Sequence, residues 1–198
     1  MNKTLMSLFL LCLSSLSIAG AIEQVEMEGQ PNVILSSGLV AMCGMRLMLI
    51  GDLSVANGNT VALTYDVSMS MGNVGQVLVK GLAFRVDTQG EGAPKVAKLP
   101  LIGVWIKSEN GKATIPNQGK VLTGEDNVSI LYSDEKRIDK YVEFISSVSA
   151  KKPIMIGVRL NDGKDERIFS GIVKLSDKDS RAFSQCNIEL VDLIKKQT

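Results

Sequence analysis

Val61-Ala62-Leu63-Thr64-Tyr65-Asp66-Val67-Ser68-Met69 places a large apolar side chain at every second position, with small or polar residues between. Successive strand side chains point to opposite faces, so this spacing predicts a strand buried on one side. The same logic extends outward. Val77, Val79, Phe84 and Val86 form a similar segment interrupted at Gly81, where a bulge or bend is expected. Leu99 to Ile106 and Val128 to Tyr132 are further predicted strands. Between them lie Asn57-Gly58-Asn59, Gly90-Glu91-Gly92, Asn110-Gly111 and Pro116-Asn117, residue types that favour turns. Asn110-Gly111 is the strongest hairpin signal. Gly38 to Ile50 is apolar on both faces and reads as either strand or helix.

Beyond Leu131 the period changes. Ser133 is the predicted cap of a helix running through Ala150, with Ile138, Tyr141, Val142, Ile145 and Val148 on one face and Pro153 as its stop. Alternation returns at Ile154, Ile156, Val158 and Leu160, followed by the turn Asn161-Asp162-Gly163 and an opposing strand from Ile168 to Leu175. Ser176 then caps a last helix, with Asp177 and Asp179 at its positive end and Lys195 and Lys196 at its negative end. Phe183, Cys186, Leu190 and Leu193 form its inward stripe. These elements predict a mainly β fold, an antiparallel β-sandwich or partly open barrel with two helices, one of them C-terminal. An α+β arrangement is the alternative.

The N-terminal stretch has a different character. Lys3 precedes an apolar run from Leu5 to Leu16, and Ala19-Gly20-Ala21 supplies small residues at cleavage-competent spacing. This pattern predicts that residues 1–21 are a cleaved signal peptide and that 22–198 form a single exported globular domain, periplasmic or secreted. The run is shorter than the roughly 20 residues a spanning helix needs. Leu11 before Cys12 argues against lipid attachment there. Cleavage removes Lys3 and no acidic residue, leaving 21 basic and 21 acidic side chains. It also removes Cys12 from the three cysteines, leaving Cys43 and Cys186. An even pair in an oxidising compartment predicts a Cys43–Cys186 disulfide, worth about 5 kcal/mol from the chain entropy of so long a loop. Two buried free thiols are the alternative.

Composition removes several kinds of chemistry. The chain contains no histidine, so no Ser-His-Asp or Cys-His site exists in it. A formal net charge of +1 supplies no basic field for nucleic acid, and aromatic residues at 5% form no stacking platform. Two cysteines without histidine leave a zinc site half-supplied. Ser133-x-x-Lys136 and Ser149-x-x-Lys152 match the short form of a serine–lysine hydrolase, but the companion Lys-Thr-Gly is absent. Glu125/Asp126, Asp134/Glu135 and Asp162/Asp165/Glu166 lie in polar runs and read as solvated carboxylates rather than a glycosidase pair. Met42, Met45 and Met48, with Met69 and Met71, would suit Cu(I) if 42, 45 and 48 shared a helical face. On a strand Met45 points away from the other two. The expectation is a protein without catalytic, cofactor or metal residues. It acts by protein–protein interaction, as an accessory component of a cell-envelope, secretion or transfer complex or as an inhibitor of an exported protein. A carboxylate or Ser-Lys hydrolase and a methionine-based Cu(I) binder are the alternatives. The expected partner is another envelope or exported protein, with no nucleic acid and no membrane span after cleavage.

Overall fold

The computed structural model describes residues 22–56, 59–89, 92–109, 111, 113–114, 120–121, 129–133, 138–161 and 166–197. The predicted signal peptide and the turns at 57–58, 90–91, 115–119 and 162–165 lie outside these residues. In chain order the elements are β1 (Ile22–Gln24), β2 (Met27–Ser36), β3 (Leu39–Ala56), β4 (Asn59–Gly72), β5 (Val77–Gln89), β6 (Lys95–Leu99) and β7 (Leu101–Ser108). They continue as β8 (Lys120–Val121), β9 (Ser129–Ser133), α1 (Ile138–Ser149), β10 (Ile154–Leu160), β11 (Arg167–Gly171), β12 (Val173–Lys174) and α2 (Asp177–Gln197).

The alternating stretch around Tyr65 is the middle of β4, which pairs antiparallel with β3 and β5 in an eight-stranded sheet of order β12-β2-β3-β4-β5-β9-β8, with β6 also on β5. Its inner face carries Cys43, Met45, Leu47 and Leu49 from β3, Tyr65, Val67, Met69 and Met71 from β4, and Val77, Val79 and Ala83 from β5, all buried. Each large side chain of this kind contributes roughly 1.5–3 kcal/mol on burial. A four-stranded sheet, β1-β11-β10-β7, covers one end of that face. Phe169 of β11 sets its ring 5.1 Å from Tyr65. The helices cover the other end through Tyr141, Phe144, Phe183 and Leu190.

The fold is mainly β with two helices, one C-terminal, and its two sheets do not close into a barrel. Both sheets are mixed rather than purely antiparallel, because β1 runs parallel to β11 and β12 parallel to β2. These parallel pairs arise where the chain crosses from one sheet to the other. Val25 and Glu26 separate β1 from β2, Ile172 separates β11 from β12, and the two crossings run side by side. Pro100 does the same between β6 and β7, so the predicted strand Leu99 to Ile106 is in fact two strands in different sheets. Proline has no N–H to give a ladder, which suits it to this corner. Gly81 makes neither bulge nor break in β5. It leaves room for Leu101 and Val104 of the small sheet, and Phe84 and Val86 belong to the opposite face from Val77 and Val79.

Leu39 to Ile50 is strand, entered through the two-residue turn Ser37-Gly38 with φ of 52° and 78°. Positive φ at both positions is the type I′ geometry that matches hairpin twist. Ser133 does not cap α1. It ends β9 opposite Val77, and the helix begins at Ile138. Val142 is exposed, and Phe144 takes a buried place on the inward stripe. The end of α1 is a Schellman motif: Lys151 sits at φ 52°, and its N–H and that of Lys152 donate to Val148 and Ser147. Ser176 caps α2, its hydroxyl accepting the Asp179 N–H at 3.1 Å. A bond between Cys43 and Cys186, with Cα atoms 5.8 Å apart, fastens α2 to β3.

Candidate docking face

The helices and the small sheet pack on the inner face of the large sheet, and the geometry of its outer face follows from one irregularity. From Cys43 to Leu49 the odd residues of β3 point inward and the even ones outward. Gly51 is then an extra residue, since Ile50 pairs with Thr64 and Asp52 with Leu63. A single inserted residue reverses the alternation. Leu53 and Val55, which would otherwise continue the buried row, lie instead on the outer face and are 64% and 69% exposed. Cross-strand neighbours extend this apolar area through Ala62, Val86 and Val96 on the Leu53 row and Phe84 beside Thr64. The bulge is fixed from inside: a Cβ on Gly51 would stand 2.5 Å from the Tyr65 ring and 2.7 Å from that of Phe169.

A cleft of about 690 Å³ lies on this face, floored by Met48, Ile50, Leu53 and Phe84 and rimmed by Glu26 and Glu28. That volume is within the range of ligand and peptide sites. Across the floor the exposed Lys98 stands opposite Phe84 on β6. The margin at β2 also carries Lys174 of the edge strand β12, in register with Glu28 and 2.7 Å from Glu26, so it is mixed in charge. Asp66 is nearly buried beside the floor, and the Nε of Arg46 donates to it at 2.7 Å. That hydrogen bond holds the guanidinium above its usual pKa against the opposing effect of burial.

Under the bulge, Arg167 joins the two sheets. Its guanidinium donates to Glu23 of β1 at 2.8 Å, to Asp52 of β3 at 2.6 Å and to the Gly51 carbonyl at 3.1 Å, above the Phe169 ring at 5.2 Å. Burial alone would lower its pKa, but the bonds to Asp52 and Glu23 outweigh it and the value rises. Burial also raises Tyr65, partly offset by the arginine. Both carboxylates serve one cation, an arrangement that braces the bulge.

Among the described residues, those singled out for chemistry do not converge. Ser149 ends α1 and is exposed, as is Lys152. Lys136, Glu125, Asp126, Asp134, Glu135, Asp162 and Asp165 lie outside the described residues. Glu166 accepts the Trp105 indole N–H at 2.8 Å. Met45 and Met69 pair in the core, whereas Met42 and Met48 belong to the opposite face, so 42, 45 and 48 do not share a side. Among the described residues no three Asp, Glu or Cys side chains gather to hold a metal ion, and no helix is long and apolar enough to cross a membrane.

Near the disulfide, the buried Tyr141 hydroxyl lies 2.9 Å from the Cys43 carbonyl and 2.8 Å from Asn187 Oδ1, sharing its one proton between α2 and β3. Burial raises its pKa far above the tyrosine value. Sequence reasoning missed the outer cleft, because it assigned no face to Leu53 and Val55, which continue the odd-numbered apolar spacing of Cys43 to Leu49. Gly51 was the available signal. No family model matches this chain, and no curated protein or solved structure matches it with significance.

Proposed function

We propose that this chain is an exported, non-catalytic protein of the periplasm or extracellular space that works by protein–protein contact through the outer face of its large sheet. The observation that carries the reading is the bulge at Gly51, which turns Leu53 and Val55 from the core row to the surface. Bulges recur where a strand must re-aim a side chain, and contiguous exposed apolar patches mark contact sites. The leader-like pattern of 1–21 and the bond between Cys43 and Cys186 support an oxidising compartment.

The test compares capture by tagged wild-type protein and Leu53→Lys from the envelope fraction after crosslinking in the cell. Species held by the wild type and lost with Leu53→Lys are the expected result. Capture that is unchanged by the lysine, or no capture at all, overturns the proposal. Leu53 is already largely in water, so the lysine should leave the unfolding free energy within about 0.5 kcal/mol of the wild type.

A further inference from the structure

The free end of the hairpin joining β2 to β3 is apolar on both sides. Val33 shares the inner side with its buried partner Cys43, and Leu35 shares it with the buried Val40. Ile34, opposite Met42, and Leu39, opposite Ser36, take the outer side. All four are between 42% and 61% exposed. No charged side chain occurs anywhere between Glu28 and Arg46. Among the described residues β4 pairs with β3 only from Met42 onward, and β12 with β2 only at Met27 and Glu28, so the stretch from Leu35 to Val40 stands beyond both neighbouring strands.

We infer that this hairpin end enters the surface of a lipid bilayer, at the boundary between headgroups and acyl chains. Shape selects the occupant. A protein surface that receives a strand pair on one side leaves the other side in water, whereas a fluid apolar layer closes around both. Addition of a partner's strand is opposed by Pro31, which has no N–H to offer along the outer edge of β2. The backbone sets the depth. From Gly29 to Ser36 that edge has no strand beside it among the described residues, and its outward N–H and C=O groups would go unsatisfied in hydrocarbon. At the boundary, water and lipid esters serve them while the aliphatic side chains reach the acyl layer. Charge does not choose the occupant: Lys196 lines a hollow beside Leu39, but so do Glu189 and Asp192. Attraction comes from the aliphatic side chains and is insensitive to salt.

Flotation of the purified mature protein with phosphatidylcholine vesicles tests the inference. The wild type is expected to float with them equally at low and high salt. Leu35→Ser/Leu39→Ser reduces the partition about tenfold, whereas Leu53→Lys, toward the other end of β3, leaves it within about twofold. Both leucines at the hairpin end are mostly in water, and circular dichroism establishes that each variant is folded. Protein that stays in the aqueous fraction overturns the inference, as does a serine variant that floats like the wild type. Binding that appears only when phosphatidylglycerol is added, and disappears in high salt, also overturns it, because charge rather than the hairpin would then hold the protein. If the vesicles fail while Leu53→Lys still abolishes capture of an envelope protein, the proposed function stands without a membrane contact.

Discussion

Replacing Cys43 and Cys186 together by alanine removes the one covalent link between the C-terminal helix and the sheet. The bond spans a sequence separation of 143 residues. A loop of that length lowers the entropy of the unfolded chain by about 17 cal/mol/K, or about 5 kcal/mol at 25 °C. Cys43 is fully buried and Cys186 is 4% exposed, so the alanines also leave a small cavity between β3 and α2. A domain of this size has roughly 5–15 kcal/mol to lose, so the variant should remain folded but become marginal. Urea unfolding followed by the fluorescence of the single tryptophan, Trp105, gives the decisive comparison. Trp105 lies in β7 of the small sheet, whereas the bond joins β3 to α2. With a slope near 2 kcal/mol/M, a loss of about 5 kcal/mol lowers the midpoint by about 2.5 M. Because the cross-link constrains the whole unfolded chain, tryptophan fluorescence and far-ultraviolet circular dichroism should shift together. A variant whose unfolding free energy stays within about 0.5 kcal/mol of the wild type, or a shift confined to the helical signal, would refute the loop-entropy reasoning.

Other expectations follow from single contacts. Tyr141→Phe leaves the Cys43 carbonyl and Asn187 Oδ1 without their shared donor and should cost about 1–3 kcal/mol by urea unfolding. Burial raises both Tyr65 and Tyr141 above 10.0, so the folded state binds more protons than the unfolded chain once the pH passes 10. Stability is therefore at its full value below pH 10 and falls above it, by up to about 1.4 kcal/mol per pH unit for each tyrosine, and Tyr141→Phe should flatten that slope. Lys151→Gly relieves a left-handed residue in the Schellman turn and should raise stability by up to about 1 kcal/mol in thermal unfolding. Gly157→Ala would bring a Cβ 2.0 Å from the Trp105 indole and should push the ring outward, shifting its emission to the red.

Local rules carried the strand and helix readings a long way. Tyr65 and its neighbours alternate as written, Ser176 caps α2, and Phe183, Cys186 and Leu190 are buried on its inner stripe. Features that depend on two distant segments were harder to read. Pro100 sits inside an apolar run, and only the pairing of Leu99 with Ala83 and of Leu101 with Leu160 reveals that the run serves two sheets. The parallel pairs at β1 and β12 have the same origin, because nothing local to Val25 or Ile172 says that the two crossings travel together. Ser133 has the chemistry of a cap, but β-pairing with Val77 claims it first. At the candidate face the difficulty was one residue of register. The apolar row continues through Leu53 and Val55 in sequence and leaves the core in space, because Gly51 can be squeezed against Tyr65 and Phe169 where no side chain fits.

The outer face is tested most directly by a photoreactive amino acid placed singly at Leu53, at Val96 and, for comparison, at the exposed Ile102 of β7 and Ile188 of α2. Irradiation of the protein in the cell should give discrete protein adducts from positions 53 and 96 and none from 102 or 188. Adducts from Ile102 or Ile188 with silence at Leu53 and Val96 would contradict the account.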